Sequence, residues 1–519
     1  MKRRLGLLPL LAVSVGGIIG SAWLFAPLYA AQVAGPGAIF SWLISGGAAL
    51  ILAMVYAELG AAFPVAGGLA RFSYFSHGNL AGFVAGFACW LGYVAIAPIE
   101  VQAMIRYMAD ALPWLLQSPN APELSWAGIG CAAALLFLMS LINLLGVQWF
   151  AESNKILTIW KIFVPVSIPL ALMWVGLNRE NFSAHGGFLP SGWNGVFAGV
   201  STGGTLFAML GFRAAIEMAG EAKNPGRDMP IAVIGSVLIT SAIYLLIQIG
   251  FIGALSEESL SRGWSKVTSH VASGPFVELA AAAGLVWLVR LIYIDSLVSP
   301  GGCGLVFCSA SARLSYALSL NGQFPKFFRR LNGNGVPAAA VTVNFLVGLM
   351  FFAPSQTWQT IVSFISSIQI FSLAFGAPAL LALRRTAPDV ARSFRLPFAG
   401  PVCAVAFIAA NIIIYWCGWE TNRVTLGLVA AAAAAFIAIK RIKSPHEPLD
   451  LQGLHWLVPY FAGLAAISAA GGFGGGYRLI PEGWNALIIA VFSLVILRVS
   501  LIDPRSKVPS QSELQVVPR

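Results

Sequence analysis

The chain has 519 residues, 58% of them apolar and only 10% charged, with a mean hydropathy of +0.81. Soluble proteins carry about 25% charge, so this composition excludes an ordinary soluble domain and implies a chain embedded in a bilayer. The net charge of +11 could suggest a nucleic-acid partner, but the basic residues sit between apolar segments, where they set topology.

A bilayer helix needs about 20 apolar residues, and fourteen such stretches are expected near 8–31, 36–62, 79–109, 126–147, 154–177, 195–218, 229–254, 276–316, 336–353, 359–383, 400–418, 424–440, 455–471 and 484–502. They are numbered helices 1 to 14. Residues 5–57 hold no charged side chain and read as two spans joined at 32–37. Helix 1 carries Gly16-Gly17-Ile18-Ile19-Gly20-Ser21 at its midpoint, and helix 6 has a matching glycine cluster. Backbone polar groups in hydrocarbon must be satisfied internally. Glycine-loosened backbone at mid-depth therefore implies the lining of a polar cavity, as in membrane carriers.

The two broken spans sit five helices apart. This spacing predicts two repeats, 8–177 (helices 1–5) and 195–383 (helices 6–10), inverted because five is odd, with a solute site near the midplane. Helices 11–14 (400–502) read as peripheral additions. One set of loops holds most of the lysines and arginines, including Lys2, Arg3, Arg4, Lys326, Arg329, Arg330, Arg384, Arg385, Arg392 and Arg395. The other set holds Arg179, Arg262, Lys266, Arg423 and Arg478. That asymmetry predicts a cytoplasmic N-terminus (1–7), a cytoplasmic tail (503–519) and a cytoplasmic-membrane location. Lys2-Arg3-Arg4 before an apolar run also resembles a signal peptide, but the run is too long and lacks a clean cleavage site.

The six cysteines lie in or beside apolar spans without metal-ligand spacing, and neither HExxH nor a P-loop occurs. No metal, cofactor or ATP-driven chemistry is expected. Trp114, Trp126, Trp193, Trp264 and Trp484 lie near span ends, as an interfacial belt would place them.

Gly16-Gly17-Ile18-Ile19-Gly20-Ser21, Gly35-Pro36-Gly37 and Tyr56-Ala57-Glu58-Leu59-Gly60 resemble signatures of the amino acid–polyamine–organocation superfamily. So do Phe207-Ala208-Met209-Leu210-Gly211-Phe212, the run Glu221-Ala222-Lys223-Asn224-Pro225-Gly226-Arg227, and Ser311-Ala312-Arg313-Leu314-Ser315-Tyr316. The resemblance covers roughly residues 8–385 and implies an all-α, LeuT-type five-plus-five inverted repeat with discontinuous helices 1 and 6. It also implies an amino acid as the solute. Gly20-Ser21-Ala22-Trp23 and Gly211-Phe212-Arg213 depart from the commoner patterns and look like the aspartate–proton symporter branch.

A zwitterion suits an opened helix, whose bared amides attract a carboxylate and whose bared carbonyls attract an ammonium. On helix 1, beside Gly20, the amides of Ser21, Ala22 and Trp23 and the Ser21 hydroxyl are assigned to the carboxylate, and the Ile18 carbonyl to the ammonium. The resemblance adds the carbonyls of Phe207 and Leu210, with the Phe207 ring as a gate. The other reading of the glycines is close helix packing.

Intramembrane charges are functional candidates. Arg213 either meets an anionic substrate side chain or pairs with Glu217 at i,i+4. In the resembling family, a helix-5 lysine replaces sodium. Lys161 would then bridge helices 1 and 8, unless it snorkels to the interface. Asp295 either carries the coupled proton or faces Lys161, and Glu217 joins this proton-coupling set. Glu100 lies deep in helix 3 and reads as hydrating the pathway. By fold analogy, Glu58 and Glu221 hold a cytoplasmic gate with Lys223, Arg227 or Arg313. The expected partners are an amino acid, protons and lipid, with no nucleic acid, and the oligomeric state stays open. The expected activity is proton-coupled import of aspartate or glutamate and not enzymatic; an exchanger or a symporter of neutral or cationic amino acids is the alternative.

Overall fold

The computed structural model describes residues 5–118, 123–145, 147–267, 274–353, 357–443, 450–481, 483–502 and 504, with backbone alone over 147–156. The Lys2-Arg3-Arg4 cluster and almost all of the 503–519 tail lie outside the described residues. Among the described residues every regular element is helical, apart from two isolated bridges at Leu5–Ala222 and Leu116–Leu124. Among the described residues nine helices are long and apolar enough to cross a membrane, ten with one bent pair, one of them (Ala22–Ala62) running from the second half of helix 1 into helix 2; shorter apolar helices at Leu7–Ile18, Ala338–Phe352, Leu454–Ala470 and Trp484–Ser500 account for the remaining expected segments. The chain is a multi-pass, all-helical membrane protein.

Helix 1 is two pieces, Leu7–Ile18 and Ala22–Ala34, because Ile19 leaves helical geometry at φ −85°, ψ 96°. Two β-branched residues between glycines have little intrinsic reason to stay helical. Helix 6 is also two pieces, Gly192–Ser201 and Thr205–Glu217, bent by 48°. Gly204 at the bend has φ +81°, a value that favours glycine. A second loosening, the 3₁₀ turn Leu210–Phe212, interrupts the latter piece.

Two expected spans have different outlines. Gly68–Met108 runs on from a short helix into helix 3 through a kink at Gly78, whose φ is +79°. Asp450 seats this kink by accepting the Asn79 amide at 3.1 Å. The span expected at 276–316 is Pro275–Ala282 followed by Val286–Leu320, with Gly284 turning at φ +73° between them. The apolar period carried through the turn, so the sequence concealed it. Helix 3 packs against helix 8 (Val286–Leu320) and helix 10 (Trp358–Thr386), while helix 2 (Ala38–Ala62) packs against helix 7 (Pro225–Ala254). Trp114, Trp126, Trp193 and Trp484 are exposed, but Trp264 is 4% exposed and lies over Gly35. It is a packing residue, not part of a belt.

At the end of the bundle that carries the Leu5–Ala222 bridge, Glu58 is fully buried. It does not meet Lys223, Arg227 or Arg313. Arg384 reaches it at 2.6 Å, Arg392 at 3.4 Å, and the Leu396 amide donates to it at 2.7 Å. These residues come from helix 10 and the loop after it, which no helix-2 motif could reveal. Removing one member of such a network strands buried charge at about 3 kcal/mol. Glu58→Ala is expected to destabilise the protein by about that amount, read as a lowered melting temperature of the detergent-purified protein.

Candidate functional site

The site forms where the break of helix 1 meets the 3₁₀ turn Leu210–Phe212 of helix 6. At Gly211, a Cβ would lie 2.1 Å from the Gly17 carbonyl oxygen and 2.3 Å from the Ile18 nitrogen. Only two glycines allow the backbones to approach this closely. Around this contact lies a cavity of about 10 Å³, walled by Gly17, Ile18, Glu100, Phe207, Cys303 and Gln369 among others. That volume holds about one water molecule, so the site is closed down.

The carbonyls of Gly16, Gly17, Ile18 and Ile19 and the Ser21 amide each have a protein partner. Lys161 is fully buried and donates to the carbonyls of Gly16 and Ile19, both at 2.9 Å. It does not snorkel to the surface. Its contact to helix 8 is by proximity, since a Cβ on Gly302 would stand 3.0 Å from its Nζ. Tyr244 on helix 7 donates to the Ile18 carbonyl at 2.9 Å, the group expected to hold an ammonium. The Cys303 thiol faces the Gly17 carbonyl at 3.4 Å. The Ser21 amide donates to Glu100 Oε2 at 2.6 Å, so it does not lie open. The Ser21 hydroxyl accepts from the Trp358 indole at 3.1 Å. Gly20 permits the carboxylate to come so near: its Cβ would lie 2.6 Å from Glu100 Oε1. Ala22 lines the cavity, and Trp23 is buried with its indole nitrogen unpartnered.

Trp358 packs beside the cavity, behind its wall residue Phe207. Phe207 meets it edge-on with ring centroids 6.1 Å apart, and Phe25 and Tyr29 pack on it at 5.4 and 5.5 Å. Arg106 lies over Phe25 at 5.4 Å.

Toward the end that carries the Leu5–Ala222 bridge, Arg213 is fully buried. Its Nε donates to the Leu210 carbonyl at 2.8 Å, and the guanidinium stacks over Tyr93 at 4.9 Å. Both Nη atoms lack a hydrogen-bond partner. The i,i+4 pair with Glu217 is not closed: Glu217 Oε1 accepts from the Tyr93 hydroxyl at 3.3 Å, and Oε2 is unpartnered. Asp295 accepts from Trp160 and Ser299, both at 2.7 Å, and its other oxygen is unpartnered. Glu221 pairs with Arg313 at 2.9 Å. Lys223 joins this end through its backbone, donating to the Leu5 carbonyl at 2.8 Å.

The sequence motifs missed Tyr93, Tyr244, Cys303, Trp358 and Gln369 as site neighbours, and they left Glu100 without a partner. Tyr93, Ile96 and Glu100 follow helical spacing on one face of helix 3, a signal that could have found the wall residues Ile96 and Glu100 together with the Tyr93 ring under Arg213. Nothing local marks Trp358 or Gln369.

The family model for amino acid permeases matches residues 5–445. The chain is 36% identical over 502 residues to the glutamate/serine transporter AimA of Bacillus subtilis, covering 95% of this chain and 93% of that protein. It is 34% identical over 501 residues to the aspartate-proton symporter of the same organism, covering 95% of each. More distantly, it is 26% identical over 423 residues to the aromatic amino acid transport protein AroP of Salmonella typhimurium, covering 78% of this chain and 87% of that one.

The Gly17–Gly211 approach supplies a direct check on the site. Gly211→Ala must push the helix-1 break and the helix-6 turn apart, whereas a Cβ at Gly47 meets nothing within 4 Å. Solute uptake by membrane vesicles is expected to fall more than about tenfold for Gly211→Ala, a barrier change of roughly 1.4 kcal/mol, and to stay near wild type for Gly47→Ala.

Proposed function

The chain belongs to the amino acid permease family, and we propose that it imports an acidic amino acid together with protons by alternating access. The observation carrying the acidic substrate is Arg213, a buried guanidinium one turn beyond the helix-6 carbonyl of Leu210, with both Nη atoms free. Unpaired buried charge is costly in a membrane interior and is kept where a ligand completes it. A second carboxylate on the substrate supplies the bidentate partner. The relatives named as glutamate/serine and aspartate-proton carriers support the same class.

In this reading, the α-carboxylate takes the amides of Ser21, Ala22 and Trp23, and the ammonium takes the carbonyls of Ile18, Phe207 and Leu210. The partners now on Ser21 and Ile18 give way as the cavity widens. Lys161 supplies coupling. As an ammonium it ties helix 5 to two carbonyls of the helix-1 break. Loss of its proton removes that charge-assisted tie and biases the hinge. Asp295 faces Lys161 from helix 8 and completes the relay, with Glu217 below. The end bearing Glu58, Glu221, Lys223 and Arg313 is the cytoplasmic gate, the termini lie inside, and helices 1–5 and 6–10 form the inverted repeats that rock against each other. The AimA name includes serine, which favours testing a neutral substrate and obligate exchange as the second reading. Uptake into proteoliposomes without internal amino acid separates symport from exchange.

Two substitutions test the assignment under an imposed pH gradient. Arg213→Ala is expected to cut aspartate and glutamate kcat/KM by roughly 30-fold, about 2 kcal/mol for a lost charged hydrogen-bond pair, while sparing serine and alanine. Equal loss across all four substrates would make Arg213 structural. Lys161→Ala is expected to retain counterflow but no longer accumulate substrate down a proton gradient; unchanged accumulation removes Lys161 from coupling.

A further inference from the structure

We propose that Glu100 is an internal stand-in for the substrate's α-carboxylate, occupying its place in the closed site and leaving as a neutral carboxyl when substrate binds. The inference rests on the reading above that the helix-1 break receives that carboxylate. Four observations carry it. The carboxylate of Glu100 accepts the Ser21 amide at 2.6 Å, a bared donor at the start of Ala22–Ala34. It is 1% exposed and forms part of the cavity wall. Gly20 leaves the notch that admits it, since any Cβ there would stand 2.6 Å from Oε1. Its position also mimics a bound ligand: a carboxylate on a different element, seated on the bared start of a half-helix.

Two carboxylates cannot share that amide without strong repulsion. Substrate binding therefore has to expel Glu100, and the charge around the break stays constant when Glu100 takes one proton from the solution that delivers the substrate. The titratable groups facing it are Lys161 from helix 5, Tyr244 from helix 7 and Cys303 from helix 8. Phe207, Leu210 and Gln369 line the cavity from helices 6 and 10 and carry no charge. Lys161 is the one cation among these neighbours, and it already serves the Gly16 and Ile19 carbonyls. The free Arg213 guanidinium beyond Leu210 is taken by the side-chain carboxylate of an acidic substrate in the reading above, and protonation of the displaced Glu100 is then the route that leaves no stranded buried charge.

The test is calorimetric binding of aspartate, glutamate and serine to the purified full-length protein, in buffers of different ionisation enthalpy. The decarboxylated amine of each substrate runs in parallel. Wild type is expected to take up protons with the amino acids, with Kd rising about tenfold per pH unit for each proton linked. It should take up one proton fewer with the amines, which leave Glu100 seated. Glu100→Gln and Glu100→Ala should each lose one proton per amino acid bound, and Glu100→Ala should bind more tightly than wild type at alkaline pH. An unchanged proton count in a folded variant overturns the proposal, and so does equal proton uptake by the amine and its parent in wild type. If the amines bind wild type as tightly as the amino acids, the carboxylate assignment at the helix-1 break fails as well. A purely structural Glu100 would give weakened binding in both variants with the proton count intact.

Discussion

The contact between Gly17 and Gly211 is the constraint from which the rest of the site follows. With a Cβ only 2.1 Å from the opposite carbonyl oxygen, no other residue lets the helix-1 break and the helix-6 turn share a layer of the bundle. Their proximity leaves the bared groups of helix 1 open toward helices 3, 5, 7 and 8 and keeps lipid away from them. In hydrocarbon such groups would each cost several kcal/mol unpaired. Here Lys161, Tyr244, Cys303 and Glu100 converge from four helices to receive them.

These partners contrast with the layer just beyond Leu210. There a guanidinium and a carboxylate four residues apart both keep unpartnered atoms, although each is fully buried. Tyr93 explains why they do not close on each other: its ring lies under the guanidinium, and its hydroxyl is spent on Glu217. A buried pair held apart in this way is a poor source of stability. The polar atoms left over there set that layer apart from the helix-1 break, whose carbonyls are held by the protein itself.

Much of this was legible in the sequence, for identifiable reasons. Hydrophobic length alone marks the fourteen segments, because the bilayer imposes one scale on all of them. The break in helix 1 was legible because glycine-loosened backbone at mid-depth, as at Gly16, Gly17 and Gly20, must either line a polar cavity or permit a close helix contact. Lys161 and Arg213 stood out because charge within a span is expensive. The occupants of the break were not legible. Glu100, Tyr244 and Cys303 reach it from helices far away in the chain, and nothing in a helix's own period tells which neighbour its polar face will meet. Glu58 shows the same limit: Arg384 and Arg392 lie more than 300 residues downstream. The Gly284 turn escaped notice because apolar periodicity continues unbroken on either side of it.

The layers on either side of the break are packed by different chemistries, and Ser21 touches one of them directly. Buried ion pairs, Glu221 with Arg313 and Glu58 with Arg384, lie at the end that carries the Leu5–Ala222 bridge. Aromatic rings packed around Trp358 lie on the other side, and ring contacts are less directional than charge-assisted hydrogen bonds. Ser21 joins the aromatic layer to the site: its hydroxyl accepts the Trp358 indole while its amide holds Glu100. Any ligand that takes the Ser21 amide must repack the residue to which the aromatic layer is tied. A ligand shifts a conformational equilibrium only by its differential contacts with the two states. In the reading proposed above, Ser21 supplies that difference, because its amide and its hydroxyl tie the break to the aromatic layer.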